Sequence, residues 1–124
     1  RDLPDLAHQQ VVHYASGQSV QAPGISCRRG DRDINHPVRA RVTVNNIDTY
    51  IAAARAGLGL IQVPRFDVAD LLEQGVLVRV LDRLDVPPLQ VSLLHARRRN
   101  LPVRISAFEA WVTRLLSERG VFAA

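Results

Sequence analysis

Apolar residues recur along this chain at two spacings, and the switches between them mark out its elements. Val11-Val12-His13-Tyr14-Ala15 is a compact apolar run closed by Ser16-Gly17, and Val42 and Val44 alternate with Arg41 and Thr43. Both read as strands. Directly after the second, Asn45-Asn46 offers two candidate helix N-caps. Ile47, Tyr50, Ile51, Ala54 and Leu58 then follow the i, i+3, i+4 spacing of one buried helical face. Gly57 is a helix stop, and Leu60-Ile61-Gln62-Val63 reads as a further strand ending at Pro64. The pattern predicts a β-α-β unit: strand 40–45, helix 47–57, strand 59–63.

The flanks extend the same alternation. Leu3-Pro4-Asp5-Leu6-Ala7 predicts one short helical turn, and residues 17–24, rich in glycine, proline and amides, predict a loop. Ile25-Ser26-Cys27-Arg28 reads as a short edge strand before a charged turn from Arg29 to Asp33. Beyond Pro64, Phe66, Ala69, Leu71 and Leu72 predict a short amphipathic helix that stops at Gly75. Val76–Leu81 reads as a strand, as does Leu89–His95, and a helix from about Pro102 to Arg119, with Asn100 as its expected cap, closes the chain. Strands alternating with helices define an α/β sheet.

The last helix poses a physical problem. Ile105, Phe108, Trp111, Val112, Leu115 and Leu116 fall on one stripe, roughly 140° wide at about 100° per residue. Burying such a stripe stabilises by about 10 kcal/mol. That face must pack on its own sheet, on a further part of the protein, or on another copy.

Composition narrows the class. The 124 residues suit one domain, and 47% hydrophobic with 23% charged residues are ordinary globular values. No apolar run approaches the roughly 18 residues of a membrane span, and Arg1-Asp2-Leu3-Pro4-Asp5 has no signal-peptide core, so a soluble, cytoplasmic chain is expected. The first residue is not Met, which suits an excised piece of a longer protein. Cys27 is the lone cysteine, consistent with a reducing compartment and a bystander role. All sixteen basic residues are arginine and the formal charge is +4, with a pI near 10.5. The arginines are scattered rather than gathered in a stripe, and aromatics are only 5%. Direct phosphate tracking by this chain is not expected.

The order of elements resembles a known family. Val42-Thr43-Val44-Asn45-Asn46, the helix ending Ala52 to Leu60, Gln62-Val63-Pro64, the run Leu72 to Leu81, Pro87-Pro88-Leu89, the arginine-rich turn and Ala107-Phe108-Glu109-Ala110-Trp111 together resemble the effector-binding domain of LysR-type transcriptional regulators. Upstream, Leu3 to His8 and Val11 to Tyr14 resemble the segment that opens its second lobe. The resemblance implies an α/β fold: one lobe of a domain similar to type 2 periplasmic binding proteins, a mixed sheet flanked by helices, with a C-terminal helix. Residues 1–95 would be the second lobe. Residues 96–124 would be the return segment and helix that pack on the first lobe, which lies outside the chain together with the winged helix-turn-helix. The implied function is sensing of a small anionic molecule, such as a carboxylate, between lobes of a homo-oligomeric regulator whose DNA contact runs only through that N-terminal domain.

Ligands in open α/β sheets gather beyond the carboxyl ends of strands. Three predicted strands end in polar or turn-forming groups: Tyr14-Ala15-Ser16, Asn45-Asn46 and Val63-Pro64. In the resembling family these ends face the cleft. The N–H groups near Ile47, Asp48 and Thr49 can hold a carboxylate, aided by about half a unit of positive dipole charge. Tyr14, Ser16, Asn45, Asn46, Ile47, Asp48, Val63 and Pro64 are therefore the candidate ligand-binding residues. Two readings stay open: the asparagines cap the helix only, with Asp48 completing a variant capping box from Asn45, or they cap it and contact ligand.

Catalytic chemistry has no comparable pattern. His8, His13, His36 and His95 are far apart and lack metal-ligand spacing. There is no Gly-x-Ser-x-Gly elbow, no phosphate-binding glycine loop and no outstanding carboxylate pair. No enzyme, cofactor or metal is expected. Two rivals remain, a lobe of a solute-binding protein and an enzyme on a similar scaffold.

Overall fold

The computed structural model describes residues 3–15, 22–95 and 102–120. The chain divides into two compact units, residues 1–87 and 88–124. The first opens with a 3-10 turn at Leu3–His8 and continues through β1 (Val11–Tyr14), β2 (Gly24–Arg29), β3 (Arg32–Pro37), β4 (Ala40–Val44), α1 (Ile47–Arg55) and α2 (Arg65–Glu73). The second holds α3 (Val103–Glu118).

In the first unit β1 pairs in parallel with β4, with Val12 opposite Val42 and Tyr14 opposite Val44. β2 and β3 form a separate antiparallel hairpin, Cys27 opposite Ile34. Successive β1 side chains point to opposite faces, and each serves a different core. Val12 joins Val44, Tyr50 and Ala53, with Val42, Ile61 and Val63 against them. Val11 joins Leu6 and Ile25, with Val38, Leu60, Leu81 and Leu84 alongside. The strand that sequence alternation predicts at 40–45 is present over 40–44.

Other expectations need correction. The helix expected over 47–57 stops at Arg55, and Gly57 and Leu58 form its cap. Leu58 N–H donates to Ala53 O (3.0 Å) and Gly57 N–H to Ala54 O (2.9 Å), with Gly57 at φ 73°. That is a Schellman closure, so Leu58 leaves the helical face and is exposed, as is Ile47. The buried α1 residues are Tyr50 and Ala53.

The strand expected over 59–63 shrinks to one parallel bridge between Val11 and Leu60. Leu60 bonds both ways to β1's edge, accepting from Val12 N–H (2.9 Å) and donating to Gln10 O (2.8 Å). The pairing ends there because the Gln62 N–H is taken by the Tyr50 hydroxyl (3.0 Å). Gly59 permits the close approach: a Cβ there would lie 2.6 Å from the Gln10 carbonyl oxygen.

Val76–Leu81 is not a strand. The Val76 and Leu77 N–H groups both donate to Leu71 O, at 2.9 and 3.1 Å, closing α2 instead of joining a ladder. Leu81 then takes a left-handed φ of 60°. Leu89–His95 forms no strand either and is exposed throughout. Conversely, the edge strand and charged turn expected over 25–33 are half of a hairpin whose second strand reaches Pro37. α2 and α3 match the helices expected there, within a residue or two at each end. Asn100, the arginine-rich turn at Arg97–Arg99 and most of the loop expected over 17–24 lie outside the described residues. α3 has Pro102 at its N-cap, without a side-chain capping bond.

Candidate functional site

β1 and β4 end side by side, with Ala15 N–H donating to Val44 O at 2.8 Å. The next residues along β4 are Asn45 and Asn46, and the chain turns directly into α1. Asn46 rather than Asn45 is the cap: its backbone is extended (φ −144°, ψ 146°) and its side-chain oxygen accepts from Thr49 N–H at 2.9 Å. The variant capping box from Asn45 to Asp48 is therefore not the one formed. Capping occupies the Asn46 carboxamide oxygen and leaves its nitrogen as a donor. The Ile47 and Asp48 N–H groups, at the first helical positions, have no intrahelical acceptor.

Asn45, Asn46, Ile47, Asp48 and Thr49 are all exposed. The helix start is an open shelf. Its charge is mixed, since Asp48 stands in the first turn and opposes the positive end of the helix dipole.

Tyr14 and Tyr50 form the aromatic side of this shelf. Their rings tilt against each other with centroids 5.4 Å apart. Tyr14 is 39% exposed and Tyr50 only 5%, so one ring faces solvent while the other anchors it. Burial raises the Tyr50 phenol above its ordinary pKa, and the Gln62 N–H bond pulls it partly back. Val63 packs against the Val12–Val44–Tyr50 core. Pro64 is the N-cap residue of α2. Thus the fold places Tyr14, Asn45, Asn46, Ile47 and Asp48 at one end of the β1–β4 pair, Val63 beneath, and Pro64 a residue further on. Ser16 lies outside the described residues.

A depression of about 900 Å³ opens elsewhere in the same unit, lined by Leu6, His8, Leu60, Arg79, Leu81 and Arg83 among others. None of the sequence-predicted site residues lines it. Among the described residues no three His, Cys, Asp or Glu side chains gather where a metal could sit. No helix among them is long and apolar enough to cross a membrane.

Sequence reasoning passed over Gln62. Its carboxamide accepts from Ser26 N–H (2.9 Å) and donates to Ser26 O (2.8 Å), while its backbone N–H reaches Tyr50. The available signal was a single amide between Ile61 and Val63 in an otherwise apolar run.

Comparison with known proteins gives a family and relatives. Residues 1–117 match the family model described as "LysR substrate binding domain". The chain is 39% identical to the uncharacterized HTH-type transcriptional regulator YhjC of Escherichia coli (strain K12), over 92% of this chain and 38% of that protein. It is 29% identical to the HTH-type transcriptional regulator PgrR of the same organism, over 93% of this chain and 39% of that one. An uncharacterized HTH-type transcriptional regulator of Haemophilus influenzae is 26% identical over 82% of this chain and 35% of its own length. The chain spans about two-fifths of the length of these relatives.

Proposed function

The chain belongs to the LysR substrate-binding domain family, and from that premise we propose that it is the effector-sensing part of a LysR-type transcriptional regulator. The whole protein would be a cytoplasmic homo-oligomer that contacts DNA through an N-terminal helix-turn-helix. The observation that carries the reading is the exposed, Asn46-capped start of α1 at the carboxyl ends of β1 and β4, flanked by the Tyr14 ring. Backbone N–H groups and a helix dipole at such a place suit a small anion such as a carboxylate. Tyr14, Asn45, Asn46, Ile47, Asp48, Val63, Pro64 and, by its place in the sequence, Ser16 would line one side of the site, and a second lobe the other. No catalytic role is proposed. The alternative of a transport lobe is disfavoured, because the curated relatives are named as transcriptional regulators.

On this reading residues 1–95 are one lobe, and residues 96–124 return to the other, where the stripe on α3 finds its cover. Effector binding would act by favouring one arrangement of the lobes. A ligand with equal affinity for both arrangements would switch nothing.

The test is a thermal-shift screen of small carboxylates on the intact regulator, followed by Asn46→Ala. A hit should lose about tenfold in affinity in the variant, the effect of removing one hydrogen bond to a charged group. A hit bound equally well by Asn46→Ala would move the site away from this helix.

A further inference from the structure

Gln62 touches two parts of the first unit at once, the core under α1 and the edge of the β2–β3 hairpin. Ile61 and Val63 pack into the core around Tyr50, and in an extended run the side chain between them points the opposite way. There the Gln62 carboxamide meets β2. It takes Ser26 N–H at 2.9 Å and gives a hydrogen to Ser26 O at 2.8 Å. One planar amide thereby fills both backbone groups of a strand residue, as a neighbouring strand would. The next N–H on that edge, from Arg28, goes to Asp85 O at 2.7 Å. β2's outer edge is thus closed by a side chain and a loop carbonyl, and the side chain is the one tied to the candidate site.

The tie runs through Tyr50. Its hydroxyl accepts the Gln62 N–H at 3.0 Å, its ring meets Tyr14, and its own N–H donates to Asn46 O at 3.0 Å. A ligand that shifted Tyr14 or Asn46 would move the Tyr50 hydroxyl. That hydroxyl positions the Gln62 backbone, and with it the carboxamide on Ser26.

We infer that Gln62 is a positioning residue that couples the Tyr14–Tyr50–Asn46 end of α1 to the β2–β3 hairpin. The inference rests on the ligand-binding reading for its biological meaning, but the coupling is a property of the chain and is measurable without a ligand. Coupling of this kind is established by a double-mutant cycle and not by proximity.

The experiment is residue-resolved amide hydrogen exchange on the 124-residue chain, comparing wild type, Tyr50→Phe, Gln62→Met and the double variant. Tyr50→Phe removes only the hydroxyl. It should accelerate exchange of the Ser26 amide about fivefold, the size expected for one neutral hydrogen bond, while amides in α2 keep their rates. In the Gln62→Met background, where the link is already cut, Tyr50→Phe should leave Ser26 unchanged. A purely structural role for Gln62 would not produce that non-additivity. No acceleration by Tyr50→Phe alone, or an equal acceleration in both backgrounds, would overturn the coupling. Should Gln62→Met not fold, Gln62→Asn, one methylene short of Ser26, takes its place. Because the cycle uses no ligand, its failure leaves the binding reading intact, and a failed carboxylate screen leaves the cycle intact.

Discussion

α1 and α3 both carry apolar stripes at helical spacing, yet α1 buries part of its stripe fully, whereas α3 only half-buries Ile105, Val112, Leu115 and Leu116 and leaves Phe108 and Trp111 exposed. α1 has nine residues and buries Tyr50 and Ala53. α3 has sixteen and buries none; Phe108 and Trp111, 54% and 49% exposed, lie with ring centroids 5.8 Å apart. Their ends differ as well. Asn46 closes the first turn of α1 with its side chain, whereas α3 starts from Pro102 without one. A nine-residue helix is too short to hold itself together in water, where about 12–15 residues are needed even for good formers. α1 therefore exists because Val12, Val44 and their neighbours cover it. α3 is long enough to draw more on its own backbone bonds. The periodicity says that a face is apolar; only the rest of the chain decides what lies on it.

The difference between the helices is tested most severely in the core. Tyr50→Ala empties the space beneath α1 and should cost about 3–5 kcal/mol, read from urea denaturation of the chain followed by circular dichroism. Trp111→Ala, a larger truncation on an exposed face, should change stability in the same assay by no more than about 0.5 kcal/mol. Comparable losses at the two positions would mean that α3 is held as firmly as α1. The capped and uncapped ends give a smaller step. Asn46→Ala should cost about 1 kcal/mol by leaving Thr49 N–H without its acceptor, while Pro102→Ala, which removes no capping bond, should stay within about 0.5 kcal/mol.

How much of this was legible before the fold depends on how far away the deciding partner sits. The strand at β4, the turn into α1 through an asparagine cap, and the extents of α2 and α3 follow from local pattern, and they are present. Even the choice between Asn45 and Asn46 was open only at the level of one residue. Two of the errors fall where a backbone N–H had two possible destinations. Val76 and Leu77 carry the residue types of a strand, but α2 needed their N–H groups to finish its last turn. Gln62 could have continued a strand beside β1, but the Tyr50 hydroxyl captured its N–H and Ser26 its side chain. Leu58 fitted the helical face by count, yet Gly57 had already reversed the chain. Such competitions are settled in three dimensions, and alternation in sequence is silent on them. The positions of the candidate residues in the fold were easier to foresee, because strand ends and a helix start are largely local features. The link through Gln62, 36 positions from Ser26, was not.

The smallest effect separating the two helices is a matter of pH. Burial raises the Tyr50 phenol above its ordinary value of 10.0, outweighing the Gln62 N–H, which favours the ionised form. In the unfolded chain the same phenol ionises at its ordinary value. The neutral ring therefore contributes stability that is fully present below about pH 10 and is lost as pH rises from there through the folded-state value. Tyr50→Phe has no proton to release, so its stability should fall less steeply over that interval, and the two denaturation midpoints should converge as the solution becomes more alkaline. α3 contains no tyrosine, so a Trp111→Ala chain should follow the wild-type curve. Parallel curves for wild type and Tyr50→Phe above about pH 10 would mean that the phenol under α1 is as well hydrated as an exposed one, and the distinction between a helix with a fully buried core residue and one without would lose its most specific chemical mark.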